Sequence, residues 1–422
     1  MAPPETADGL PAHDVIIIGA GIIGLAAAHK LQQAGRQVTL LDPNGVANRA
    51  SAGNAAAFAF SDILPLASRG LLWKVPRWLM DPLGPLAIRP AYLPHLLPWL
   101  WRFVLAGRPA AMARGIAAQA ALMRLAETEM GSLIAACGLD GMVRRDGSLE
   151  LYESEAEFAA GAPGWHHRAA AGIEFEHLRG ARLAELQPGL APCFIAGTFV
   201  PGWQTVAEPQ LFARGIAAHV LAQGGQTIEA TVSSITPAPR GVALRLADGR
   251  VLEARQAVLA AGAWSKPLAA QLGDRIPLDT ERGYNTTLPP GAFDLKRQLI
   301  FGGHGFVITP LSTGIRVGGA VELAGLDQPP NFARSKAMLR KAAAFLPGLR
   351  IEGGQEWMGH RPSLPDSLPA IGRASRTPNV VYAFGHGHLG LTQAAGTGRV
   401  VADLLCDRAS GFDPAPFNPQ RF

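Results

Sequence analysis

The chain has 422 residues, of which 48% are hydrophobic and 17% charged, with a formal net charge of +5. That length and apolar content exclude a disordered or fibrous protein and leave room for two domains, interleaved or in series. The basic residues are scattered, with neither a stripe nor a motif of the kind nucleic-acid binding uses, and the three cysteines, Cys137, Cys193 and Cys406, are too few and too widely spaced for a disulfide frame or a metal cluster. Free thiols in a reducing compartment are expected. The opening stretch MAPPETADGLPAH lacks the basic patch and apolar core of a secretory signal, so a cytoplasmic protein is expected.

The most informative stretch is DVIIIGAGIIGLAAAHKL, Asp14 to Leu31. Val15 to Ile18 reads as a buried strand, and the alanine-rich run after the glycines reads as a helix. Gly19, Gly21 and Gly24 stand at the GxGxxG spacing. Gly19 permits the turn, Gly21 lets a pyrophosphate approach the backbone, and Gly24 lets the helix pack close to the strand. The helix N-terminus, near Ala20 and Ile22, then attracts phosphate. Gly35 ends the helix. A second strand, Val38 to Leu41, closes on Asp42 and Pro43, about 20 residues past the glycines, where a carboxylate would hold an adenosine ribose. This motif names a dinucleotide without deciding between FAD and NAD.

The small-residue turn SAGNAAAFAF, Ser51 to Phe60, includes Gly53, Asn54 and Ala55 and suits a loop along the pyrophosphate and the middle of a cofactor. Ile63 to Arg108 mixes tryptophan and leucine with Lys74, Arg77, Arg89 and Arg102 and is broken by prolines. It has no apolar run near the roughly 18 residues of a membrane span. It fits either a bilayer interface or a proline-punctuated core or substrate lid. Ala110 to Cys137 reads as a long helix stopped by Gly138, Val143 to Tyr152 as a hairpin around Asp146-Gly147, and His166-His167 as surface. Glu208-Pro209 opens a helix to about Ala222. Strands are expected over Ala230 to Ile235 (with Val232 facing a cofactor), Val242 to Leu246 and Val251 to Ala254.

Ala257 to Ser265, AVLAAGAWS, reads as a buried strand running into Ala261-Gly262-Ala263 and Trp264, suited to a strand end facing a cofactor. Pro277 to Glu322 reads as antiparallel strands carrying Arg282, Tyr284, His304 and Phe306, any of which could face a pocket. Asn331 caps a helix through Phe345. Arg361 precedes a rigid Pro-rich turn containing Asp366. After the strand NVVYAFG comes HGHLGLT, with His386, Gly387, His388, Leu389, Gly390, Leu391 and Thr392, and a helix from Gln393 to Leu405. A glycine loop at this helix N-terminus is what a flavin needs, since hydride arrival leaves negative charge near N1 and C2=O of its ring. His386 and His388 have no third ligand nearby in the sequence, so no metal is expected.

Taken together, GAGIIGLAAAHKL, LLDP, SAGNA, WKVPRWL with PLAIRP, AVLAAGAWS, GIRVGGAVELAG, RPSLPDSLPAIG and GHGHLGLTQAAGTG make the chain resemble FAD-dependent amine oxidoreductases of the D-amino acid oxidase superfamily, above all the small-subunit type of bacterial D-amino acid dehydrogenase. The resemblance implies an α/β architecture: a Rossmann-like FAD-binding domain interleaved with an α+β substrate domain on an antiparallel sheet. The FAD domain would comprise 1–95, 196–275 and 355–422, and the substrate domain 96–195 and 276–354. It implies a hydride passing from Cα of an amino acid to flavin N5, hydrolysis to a 2-oxo acid and ammonia, and electrons passed to a quinone or other carrier. Arg361 would hold the substrate carboxylate, with Tyr284, Arg282 and His388 in catalytic positions and His304, Phe306 and His386 beside the substrate. Phe306 stands where some relatives have Tyr. Met358, Gly359 and His360 stand where some relatives attach flavin through Cys, so non-covalent FAD is expected. Alternatives are a cyclic or secondary amine substrate (D-proline, hydroxy-D-proline or sarcosine), an oxidase using oxygen, and a non-catalytic flavin-binding subunit docked to a partner or membrane. Peripheral contact with the inner face of the cell membrane and oligomerisation are further expectations.

Overall fold

The structure, a computed structural model, describes residues 12–67, 84 and 86–422. Much of the tryptophan- and proline-rich stretch, including Trp73 and Trp78, therefore lies outside the described residues.

The β-branched run His13–Ile18 is the middle of a mainly parallel sheet. It pairs in parallel with Val38–Leu41 on one side and Val251–Leu259 on the other. Gln226–Ile228 extends the sheet beyond Val38–Leu41, and Thr377–Phe384 also pairs in parallel with Val251–Leu259. Four-residue apolar runs suit strands covered on both faces. The register sets Ile18 beside both Leu41 and Leu259, so Gly19, Asp42 and Ala260 leave the sheet at one edge. The segment expected as two strands around Arg255 is one continuous strand to Leu259. Helix Ile22–Gln33 crosses this sheet and is covered by helix Gly390–Leu405, where Gly398 lies against the Ala26 backbone and Gly396 against Ala126 of helix Pro109–Cys137. Gly138 ends that long helix in the left-handed conformation at φ 67°, as a C-terminal glycine does.

A second sheet runs Gln355–Ser363, Asp279–Leu288, Gly314–Leu323, Phe306–Leu311, Gln298–Phe301, Ser148–Tyr152, Ala196–Val200, Glu176–Arg179. The expected antiparallel strands from Asp279 to Leu323 are present. Two expectations are corrected. Val143–Arg144 and Ser148–Tyr152 are not a hairpin: the former pairs with Gln204–Val206 and the latter with Ala196–Val200 and Gln298–Phe301. A turn glycine is compatible with both outcomes, and long-range pairing decides between them. The stretch before the Asp366 turn, expected only to lead into it, is a nine-residue strand that carries Arg361 and pairs along its length with Asp279–Leu288. Its only proline, Pro362, sits near the strand end, where a missing N–H costs little. That strand, expected with the FAD domain, therefore hydrogen-bonds into the second sheet, as do Ala196–Val200 and Leu86–Ile88.

Candidate active site

A single cavity of about 840 Å³ runs from the glycine turn and Asp42 to Arg361 and the His386–Thr392 loop. At one end, Gly19 has φ +110°, and a Cβ there would lie 2.4 Å from the Ala260 carbonyl oxygen. A Cβ on Gly24 would lie 2.0 Å from the Gly19 oxygen. Both glycines thus act by allowing the helix and strands to approach. Ala20 and Gly24 support the turn from outside the cavity lining, while Gly21 and Ile22 border it. Asp42 Oδ2 accepts from the Ala20 N–H at 3.0 Å and Oδ1 from the Asn44 N–H at 2.9 Å. The carboxylate is thereby fixed with lone pairs still available on both oxygens. Pro43, Val232, Ala261, Gly262 and Trp264 complete this end.

The loop Ser51 to Ala55 crosses the middle and is held by the second sheet. Asn285 donates to the Gly53 carbonyl at 2.8 Å, Arg316 to the Asn54 carbonyl at 2.8 Å, and Thr309 to the Ala55 carbonyl at 3.1 Å. Ser51 Oγ accepts from the Ile22 N–H at 3.0 Å, so loop and helix start are tied together. The Asn54 amide is spent inside its own turn, on Ala56 N–H and the Ser51 carbonyl. Arg316 and Asn285, which anchor this loop, were missed in the sequence because nothing local distinguishes them from other strand residues.

At the other end the strand register separates the predicted site residues. Arg361 lies opposite Glu281, and Arg282 opposite His360. Side chains alternate along a strand, so Arg361 shares a face with Gly283, Gly359 and Trp357, whereas Arg282, Tyr284 and His360 share the reverse face. Arg282 is fully buried there, donating to Glu322 and to the Gly325 carbonyl. Tyr284 borders the cavity, but its hydroxyl donates to Glu322 at 2.5 Å. The expectation that Arg282 and the Tyr284 hydroxyl face the substrate is therefore corrected. His304 does not line the cavity either; its ring is engaged by Glu153 and Lys341. Phe306 does line it, stacked on Phe301 at 4.7 Å.

Arg361 Nη1 donates to the Ala320 carbonyl at 3.0 Å. Ala320 holds a positive φ of 53°, a strained conformation that turns its carbonyl into the site. No carboxylate among the described residues forms an ion pair with Arg361; burial pushes its pKa down, and the charge of Glu281 on the neighbouring strand acts against that. A half-buried guanidinium that faces a cavity and has no carboxylate in direct contact among the described residues is a place for an anion.

Gly387, His388, Leu389, Gly390, Leu391 and Thr392 all line the cavity, and the helix begins at Gly390, three residues before the expected start. Thr392 Oγ accepts from the Ala59 N–H and donates to the Ala57 carbonyl. His388 Nε2 lies 3.1 Å from Asp62 Oδ2, and Arg168 stands 3.6 Å from Asp62. Burial pushes the Asp62 carboxyl up, but these two partners hold it below its usual range. Glu150, on the same wall, is pushed up by burial. Asp62, Arg168, Glu150 and Trp357 were not singled out in the sequence.

His386 is 3% exposed, with Nε2 2.9 Å from Thr397 Oγ and Nδ1 without a partner among the described residues. Burial lowers its pKa to about 3. The unfolded ring titrates near 6.5, so its contribution to stability is full above that pH and is lost as pH falls toward 3, by up to about 1.4 kcal/mol per pH unit. Urea midpoints measured between pH 4 and 6.5 are expected to fall less steeply in His386→Gln than in the parent.

The residues fit a flavin dinucleotide. Two glycine turns open on one cavity, Asp42 is fixed at one end, and a His386 nitrogen with no partner among the described residues lies in the wall at the other. None of the three cysteines lines the cavity. Among the described residues His29, Cys137 and His219 have ligand atoms within 4.8 Å of one another, away from the cavity lining. Fold and site together define a dinucleotide-binding protein with a mainly parallel sheet at the glycine turn and a mainly antiparallel sheet across the cavity.

The comparisons make this specific. Residues 14–404 match the family described as FAD dependent oxidoreductase, DAO, and the chain belongs to that family. It is 35% identical over 418 residues to a D-amino-acid oxidase of Bradyrhizobium diazoefficiens, covering 97% of this chain and 98% of the relative. It is 30% identical over 419 residues to a D-amino acid dehydrogenase of Xanthobacter autotrophicus, covering 97% and 99%. Among solved structures it is similar in fold to glycine oxidase from Geobacillus kaustophilus (TM-score 0.75, 22% identity, 97% of this chain and 99% of that one) and to L-proline dehydrogenase from P. horikoshii (TM-score 0.75, 17% identity, 98% of each). FAD is its cofactor.

Proposed function

We propose that the protein oxidatively deaminates a D-amino acid, giving a 2-oxo acid and ammonia and passing electrons to a carrier. The observation that carries this reading is Arg361: a half-buried guanidinium, in salt-bridge contact with no carboxylate among the described residues, in the cavity that also receives the cofactor. The D-enantiomer is supported by the names of the curated relatives. The cofactor, when bound, supplies the two-electron acceptor for the Cα–H bond. Arg361 binds the α-carboxylate through its remaining N–H groups, while Nη1 stays on Ala320. That contact and the apolar wall of Phe306 fix the orientation of Cα and exclude water. His386, neutral at its depressed pKa, serves as a hydrogen-bonding group, and His388 beside Asp62 receives the proton that the substrate ammonium must lose.

The proposed division keeps 1–95, 196–275 and the C-terminal stretch on the cofactor side and 96–195 and 276–354 on the substrate side, with the strands Leu86–Ile88, Ala196–Val200 and Gln355–Ser363 reassigned to the latter because they pair into the second sheet. Anaerobic mixing of the flavin-loaded protein with D- and L-amino acids, D-proline, hydroxy-D-proline and sarcosine tests the reading. Bleaching by D-amino acids is expected, and no bleaching by any of them would defeat it. Peroxide yield in air separates an oxidase from a dehydrogenase.

Peripheral membrane contact is supported by helix Leu93–Ala106, whose Leu97 and Trp101 are 55% and 64% exposed. Among the described residues no helix is long and apolar enough to cross a membrane. Flotation with anionic vesicles is expected to carry the protein, and a wholly soluble fraction would exclude the contact.

A further inference from the structure

Gly283 and Gly359 face each other across neighbouring strands. Together they make a floor without side chains beneath Arg361 and Trp357. A Cβ on Gly283 would lie 2.4 Å from Arg361 Nη2, and a Cβ on Gly359 would lie 1.9 Å from Trp357 Cη2. The two large side chains therefore lie side by side over this pair of glycines. From the loop that crosses the cavity, Gly53 closes on the same indole: a Cβ there would lie 2.3 Å from Trp357 Cδ2. The six-membered ring of Trp357 is thus held by glycines from two elements, the loop and its own strand. In a close-packed environment such a ring has no other place to go. It lines the cavity, and its indole N–H has no acceptor among the described residues.

We infer that Trp357 is the specificity-determining wall of the site, bounding the space beside the carboxylate clamp and limiting the bulk of the group attached to the bound carboxylate. The inference rests on Arg361 being that clamp. A carboxylate binds the guanidinium that lies over Gly283, and its substituent meets the indole over the neighbouring Gly359. Because the ring is held on two sides, it bounds the space sterically and does not yield to a larger ligand. The absence of side chains at Gly53, Gly283 and Gly359 serves this arrangement as much as it serves any cofactor.

The test uses the flavin-loaded protein and plain carboxylates, so it needs no turnover. Affinities for acetate, butyrate and benzoate are read from the perturbation of flavin absorbance, with calorimetry as a check. In Trp357→Ala the benzoate-to-acetate affinity ratio is expected to rise about tenfold or more, the scale on which a pocket rejects one surplus group. Trp357→Phe, which keeps a ring in the slot, is expected to give an intermediate rise and covers the case in which the alanine variant does not fold. An unchanged or lowered ratio in the variants that retain flavin overturns the wall. Arg361→Ala is measured in parallel. If it abolishes acetate binding while the Trp357 ratio does not move, the clamp stands and the wall falls. If acetate affinity survives in Arg361→Ala, the clamp falls and takes the wall with it.

Discussion

Arg361→Ala is expected to raise KM for the amino acid substrate by the equivalent of about 2–5 kcal/mol, the cost of removing one partner of a buried, hydrogen-bonded charge pair. The guanidinium is held before substrate arrives: Nη1 is tied to the Ala320 carbonyl, and Gly283 leaves room for the planar group to lie on the strand. Little rotamer entropy remains to be lost on binding, so most of the charge-assisted hydrogen bonding goes into affinity. Arg361→Lys keeps the charge but loses the fork, and is expected to recover only part of the loss. Steady-state kinetics over a wide substrate range decides. A KM within a factor of two of the parent would remove Arg361 from the site.

The second large effect is on stability, at Glu322. This residue is buried at 3% exposure and gathers Arg282 at 3.3 Å, Arg89 at 3.1 Å and the Tyr284 hydroxyl at 2.5 Å. Arg282 is fully buried and otherwise has only carbonyl partners: Gly325, Pro329 and Gln328. Glu322→Ala strands that cation, and a loss of about 3–5 kcal/mol is expected. Glu322→Gln keeps an acceptor for Arg282 and Tyr284 and is expected to lose less. Burial pushes the Glu322 carboxyl up, but its partners outweigh this and hold it below the usual range. Its stabilisation is therefore full above the ordinary carboxylate pKa and is lost as pH falls through the lowered folded value. Urea melts of the flavin-loaded protein at neutral pH check the first point. An unchanged midpoint in Glu322→Ala would show that Arg282 finds other compensation.

The two substitutions separate roles carried by strands of one sheet. In the sequence, Arg282 and Tyr284 are strand residues that could face a pocket, and Arg361 stands before a Pro-rich turn; all three are candidates for the site. In the structure the Arg361 side chain faces the cavity, Tyr284 borders it with its hydroxyl turned to Glu322, and Arg282 is buried behind the sheet. His304, equally plausible from residue type, is taken up by Glu153 and Lys341 outside the cavity.

The nucleotide turn, its two flanking strands, the long helix to Cys137 and the C-terminal glycine loop were all legible in the amino-acid order. Each is specified by neighbours within a few residues: β-branched runs, glycines where a Cβ would strike backbone, a left-handed stop. The face on which Arg361 lies, the burial of Arg282 behind it, and the meeting of Gly53 with Trp357 across some 300 residues of chain depend on strand register. A slip of one residue would exchange the two faces without altering any local preference. Register is set by long-range pairing and by the packing of both sheets around the cavity, and so these parts of the site emerge only when the chain is folded.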